Sequence, residues 1–167
     1  GRTGAEGVAI DLERRTVALA DGGGERWDHL VSSLPLDRLI AICTGLPEPV
    51  AAEARRLRKS AVHAVGVGLR GALPAHFAGR SWLYFPETQT PFYRLTVLSN
   101  LSPHNAPSAE CWSLLAEVGE TPDRPVDRAG LTAAVVTALR RDGLLPAASE
   151  VVSLWHRREE YGYPTPS

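Results

Sequence analysis

The chain has 167 residues, 44% apolar and 22% charged, a balance typical of one ordinary globular chain. Its formal net charge of -1 gives no global electrostatic case for nucleic acid as a partner. No apolar stretch approaches the ~20 residues of a membrane helix, and no basic segment followed by an apolar run marks a signal peptide.

In chain order, Val8, Ile10 and Leu12, then Thr16 to Leu19, form two short β-like runs. Glu13, Arg14 and Arg15 make the turn between them, Asp11 points to the opposite face from Ile10 and Leu12, and Asp21 to Gly24 turns the chain after the second run. His29 to Leu34 reads as a third strand, stopped by Pro35. Leu36, Leu39 and Ile40, then Ala51, Ala54 and Leu57, have helical spacing, with Gly45, Pro47 and Pro49 between the two groups. The basic run from Arg55 to Lys59 follows Glu48 and Glu53 and reads as the wet face of a helix.

A second group of strands comes next: Val62 to Leu69, Trp82 to Phe85 ended by Pro86, Tyr93 to Ser99, and Cys111 to Val118. Asp127 has the chemistry of an N-cap for a helix reaching about Arg141, with Leu131, Val135, Ala138 and Leu139 on one face and Gly143 as its C-terminal stop. Val151 to Trp155 is a last strand, and the ending from Tyr163 to Ser167 carries no sign of a capped helix or closing strand. These elements predict an α+β fold with a mostly antiparallel sheet and helices. Residues 1–40 read as a hairpin and strand of an incomplete domain, and residues 41–167 as a separate sheet-plus-helix region. The absence of methionine, with that open ending, suggests a segment of a longer protein.

Gly66-Val67-Gly68-Leu69-Arg70-Gly71 has the spacing of a dinucleotide fingerprint, which works only between a strand and a helix. Here Val65, Val67 and Leu69 carry a strand pattern through the glycines, so the expectation is a strand approached closely by another group. Cys43 and Cys111 have no metal or disulfide spacing, which suits a reducing cytoplasm, and the five histidines form no metal-binding pair. No Gly-x-Ser-x-Gly elbow anchors a hydrolase triad. The segment from Ser81 to Pro107 gathers Trp82, Tyr84, Phe85, Phe92 and Tyr93 around one cation, Arg94. Aromatic walls and one arginine suit a ring-bearing anionic ligand, but composition alone favours a sheet core with a surface arginine, because aromatic strands are commonly core.

Gly66 to Gly71, Trp82-Leu83-Tyr84-Phe85-Pro86-Glu87 and Pro91-Phe92-Tyr93-Arg94 resemble successive blocks of eukaryotic-type UDP-galactopyranose mutases. Ser99-Asn100, Ser102-Pro103, Asn105, Trp112-Ser113, Glu117-Val118 and Pro125-Val126 continue the resemblance in order, and it ends in His156-Arg157-Arg158 and Gly162-Tyr163-Pro164-Thr165-Pro166. The likeness runs from about Trp27 onward and departs from the family at Leu101, His104 and Gly119 to Asp123.

The resemblance implies a flavoprotein of the amine oxidase-like superfamily. Its function would be the interconversion of UDP-galactopyranose and UDP-galactofuranose, an isomerase reaction through a flavin N5–sugar adduct, with noncovalent FAD active when reduced. It implies Arg94 as the catalytic residue and Tyr84, Arg94, Tyr163 and Trp82 as substrate-binding residues. Val8 and Arg94 would lie beside the cofactor. Residues 1–40 would then belong to an incomplete Rossmann-like FAD-binding domain. The expected partners are a UDP-sugar and the remainder of the flavoprotein, with neither nucleic acid nor membrane. The chain alone would be colourless and without turnover. The alternatives are another FAD-dependent oxidoreductase, amine oxidase-like or protoporphyrinogen oxidase-like, and a non-catalytic binding remnant.

Overall fold

The computed structural model describes residues 2–86 and 89–165. They form two compact units: one runs through Arg58 and takes in Thr165, and the other is Lys59–Pro164. The fold is α+β, with two mostly antiparallel sheets and four α-helices among the described residues.

In the first unit, β1 (Gly7–Asp11) and β2 (Thr16–Leu19) form the expected hairpin. Its turn is held by the Asp11 carboxylate, which accepts the Arg14 backbone N–H at 2.8 Å, and Arg15 takes a positive φ of 53°. After the glycine turn, β3 (Gly24–Arg26) pairs with β2. Helix α1 (Leu36–Ile42) leads into β4 (Cys43–Thr44), which lies parallel to β1, and α2 (Glu48–Ala54) comes after it.

Two expectations fail in this unit. His29 to Leu34 is not a strand: it is paired with no described strand, and Val31 is 96% exposed. A β-prone run without a partner cannot satisfy its backbone by sheet pairing. The basic run is not a helix face either. Helix α2 stops at Ala54, so Arg55 and Arg56 turn back to Glu48 and Glu53. Arg58 and Lys59 already belong to the next strand.

The second unit is a five-stranded sheet in the order β6-β7-β8-β5-β9. Its strands are β5 (Arg58–Arg70), β6 (Trp82–Tyr84), β7 (Arg94–Val97), β8 (Cys111–Glu120) and β9 (Glu150–Thr165). β5 pairs antiparallel with β8, β8 with β7, and β7 with β6. On the other side of β5, Gly68 faces Ser153 and Gly66 faces Trp155, whereas Gly162 faces Ser60 and Val62, so β9 also runs antiparallel.

Alternation sorts this sheet into two faces. Val65, Val67, Leu69, Leu95, Val97, Trp112, Leu114, Ala116 and Val118 point to the core. Against them packs α4 (Leu131–Arg141), whose Leu131, Val135, Ala138 and Leu139 are all buried, as their i, i+4, i+7, i+8 spacing requires. Gly143, at φ 70°, ends the helix: its N–H reaches the Arg140 carbonyl and the Leu144 N–H reaches that of Leu139.

Gly66 and Gly68 lie inside β5, as the alternation predicts. Gly71 leaves the strand at φ 121°, and the chain then makes only the single 3-10 turn Ala75–Phe77 before β6. No helix N-terminus is therefore offered to a pyrophosphate. A Cβ on Gly68 would run into the Ser153 hydroxyl oxygen, which is the close approach expected of these glycines.

Three further details differ from expectation. Leu98 and Ser99 leave the sheet in a short helix, α3 (Leu98–Leu101). The α4 N-cap is Gly130, because Asp127 spends its carboxylate on the Ala129 N–H in a preceding turn. The last strand is much longer than Val151 to Trp155 and continues through Pro164, a residue that an edge strand tolerates. The expected open ending is therefore strand through Thr165, while Pro166 and Ser167 lie outside the described residues.

Candidate functional site

The face of the second sheet turned away from α4 carries the candidate site residues. Residues paired across an antiparallel ladder share a face. One row across β6, β7, β8 and β5 is Tyr84, Arg94, Glu117 and Ala64. The neighbouring row is Trp82, Thr96, Leu115 and Gly66. One cation and one carboxylate thus stand at adjacent positions, with aromatic rings toward the β6 edge and small residues toward β5.

Arg94 and Glu117 are joined side-on. The guanidinium donates through Nη2 to Glu117 Oε1 at 2.6 Å and through Nε to Oε2. Both side chains are largely buried, so this bidentate fork fixes the plane of the arginine. The Tyr93 hydroxyl donates to Glu117 Oε1 at 3.5 Å. The guanidinium carbon lies 5.9 Å from the centre of the Tyr84 ring and 6.0 Å from that of Tyr93, within cation–π range. Hydrogen bonding to Glu117 holds Arg94 charged far above its ordinary range, against the effect of burial and with help from Tyr84. Burial, then the Glu117 charge and Tyr163, push the Tyr93 phenol well up, so it stays a neutral donor.

The structure brings Tyr84, Arg94 and Tyr163 together. Tyr163, near the end of β9, acts on both Arg94 and Tyr93, and its carbonyl accepts the Ser60 hydroxyl at 3.3 Å. Trp82 sits two residues before Tyr84 on the same face, and both are more than half exposed. Val8 is on β1 of the first unit, 46% exposed. The aromatic segment proves to be divided, since Phe92 is core while Trp82 and Tyr84 face outward.

Sequence reasoning left Glu117 and Tyr93 without a role. A signal existed for the first: Glu117 is the one charge within the apolar run Leu114-Leu115-Ala116-Glu117-Val118, and a carboxylate embedded in a strand calls for a cation.

A second polar cluster occupies the end of the core face. His63 is fully buried, and its Nδ1 lies 2.9 Å from His156 Nε2, while its Nε2 lies 3.4 Å from Glu120. Burial pushes His63 below its ordinary pKa, opposed by Glu120. Glu120 is lowered to about 2, first by its hydrogen bond from Arg158, against burial, and also by Arg128. Among the described residues, no three His, Cys, Asp or Glu side chains are placed to hold a metal ion. No described helix is long and apolar enough to cross a membrane.

No protein-family model matches the chain. Solved structures do. A candidate protoporphyrinogen oxidase from an Exiguobacterium species superposes with a TM-score of 0.67 at 18% identity, over 98% of this chain and 36% of its own. An oxidoreductase from Methanosarcina mazei superposes at 0.64 with 16% identity, over 94% of this chain and 37% of its own. Those identities show the fold alone. A crystal structure of reduced UDP-galactopyranose mutase matches far more closely, with a TM-score of 0.86 and 36% identity over 99% of this chain. In sequence and fold alike the chain is UDP-galactopyranose mutase-like, and it spans 36% of that enzyme's length.

Proposed function

We propose that this chain supplies the diphosphate-gripping sheet of a flavin-dependent mutase that interconverts UDP-galactopyranose and UDP-galactofuranose. The observation that carries the reading is the convergence of Tyr84, Arg94 and Tyr163 on the open sheet face, in a chain 36% identical to such a mutase. Glu117 takes one edge of the guanidinium and Tyr84 engages it as well, and arginine's remaining donors stay available to an anion. Arginine presents a fixed fork to phosphate oxygens, and two half-exposed phenols complete the donor set. These residues hold the diphosphate while the sugar is exchanged, and Arg94 stabilises the charge that UDP carries as it leaves. Trp82 borders the same site.

FAD fits this chain in part. Exposed Val8 and the Arg94 cation suit contacts with its apolar and electron-rich parts. Gly66 to Gly71, lying in and just after a strand, cannot cradle its pyrophosphate. When bound, reduced flavin supplies the nucleophile for exchange at the anomeric carbon. The free thiols of Cys43 and Cys111 support a reducing, cytoplasmic setting.

The test is conversion of UDP-galactofuranose to UDP-galactopyranose by the full-length protein under reducing conditions. Conversion supports the reading. Absence of conversion, together with amine or porphyrinogen oxidation, would assign the chain to the oxidoreductases that share its fold.

A further inference from the structure

The row Trp82, Thr96, Leu115, Gly66 does not end at β5. Across the next strand gap Gly66 meets Trp155, whose Cβ and Cε3 atoms lie 3.6 Å from where a Gly66 side chain would begin. A side chain built on Gly66 would point to the same face as Arg94, so the indole also lies on that face. Trp155 is 53% exposed although its ring reaches toward the sheet interior. Between it and Arg94 the face carries Ala64, Gly66, Leu115 and the Glu117 carboxylate, and Arg157, two residues on from Trp155 on the same face, is paired with Glu159. With about 4.8 Å between strands, the two tryptophans stand roughly 19 Å apart at their backbones, with the diphosphate grip between them and nearer Trp82.

We propose that Trp155 is the stacking platform for the hexose ring of the nucleotide sugar, with its C–H face laid on the indole. This rests on the reading of Arg94 as the diphosphate grip. The floor beside Trp155 lacks bulk at Gly66 and Ala64, which suits a ring laid on the indole, and the nearby Arg157 has its charge met by Glu159. Gly66 keeps that floor low, and Gly68 lets the Ser153 hydroxyl close in at the next position, where a sugar hydroxyl has a partner. A flat aromatic wall at a fixed distance from the diphosphate discriminates sugars by the C–H face they present.

The test is equilibrium binding of UDP and of UDP-galactopyranose to the full-length protein, for wild type, Trp155→Ala, Trp155→Phe, Gly66→Ala and Arg94→Ala. The expected result is that Trp155→Ala weakens UDP-galactopyranose by about tenfold, leaves UDP unchanged, and is largely rescued in Trp155→Phe. Gly66→Ala adds a methyl group at ordinary contact distance from Trp155, so it folds, yet it raises the floor and weakens the sugar nucleotide selectively. Equal loss for both ligands in Trp155→Ala overturns the proposal. No loss for either overturns it too, provided Arg94→Ala weakens both. If Arg94→Ala weakens neither, the diphosphate reading fails and the proposal falls with it.

Discussion

Arg94 and Glu117 stand directly opposite each other on β7 and β8, and the carboxylate takes the Nε and Nη2 edge of the guanidinium. The pair fixes the arginine before any ligand arrives. A preorganised cation loses less freedom on binding than a mobile one, so in the proposed site Glu117 is a positioning residue that acts on the diphosphate through Arg94.

Removing that carboxylate leaves a largely buried cation unpaired. Glu117→Ala is expected to lower stability by about 2 kcal/mol, less than a fully buried pair because solvent still reaches the arginine. It also loosens Arg94, so UDP binding weakens, though less than when the arginine itself is removed. Denaturant unfolding and UDP titration check the two parts, and an unchanged midpoint would contradict the structural half.

Gly162 precedes Tyr163 and packs tightly on β5. A Cβ there would stand 3.1 Å from the Ser60 carbonyl oxygen and from the Val62 backbone nitrogen. Gly162→Ala therefore needs β9 and β5 to part by a few tenths of an ångström, at a cost of about 1–3 kcal/mol. Because Tyr163 moves with it, UDP affinity should fall in parallel. Full stability with full affinity would mean that the end of β9 is not seated as described.

The buried His63 predicts an acid-sensitive fold. Its folded pKa is lowered, so the unfolded chain binds the proton more readily, and stability is lost as pH falls below about 6.5. His156 and Arg128 oppose a charge on His63, and only Glu120 favours it. Glu120, lowered to about 2, adds a second loss as pH falls below 4.5. Thermal midpoints between pH 8 and 5 should decline for wild type and decline less in His63→Gln. Identical slopes would remove His63 as the source.

Much of this was readable from residue patterns, for reasons visible in particular elements. The spacing of Leu131, Val135, Ala138 and Leu139 marks both α4 and its buried face. The alternation of Val65, Val67 and Leu69 carries β5 through its glycines. The features that escaped depend on partners distant in the chain. Cys43–Thr44 is a strand only because β1 lies beside it. β9 runs past Trp155 through Arg157, Arg158, Glu159 and Glu160, charges with no strand pattern of their own, because an edge strand tolerates charge on its solvent side. His29 to Leu34 has strand composition and no described partner. In the site, the resemblance supplied Tyr84, Arg94, Tyr163 and Trp82, whereas the pairing of Arg94 with Glu117 depends on a register that local sequence does not carry.

The most direct test of the central claim is the UDP affinity of the full-length protein with and without the Arg94 guanidinium. A hydrogen bond to a charged group contributes roughly 1.5–3 kcal/mol, so Arg94→Ala should weaken UDP by about tenfold to a hundredfold. Arg94→Lys should recover only part of the loss, because the ammonium keeps the charge and loses the fork that Glu117 orients. Wild-type affinity for UDP in Arg94→Ala would contradict the assignment of this sheet face as the diphosphate site.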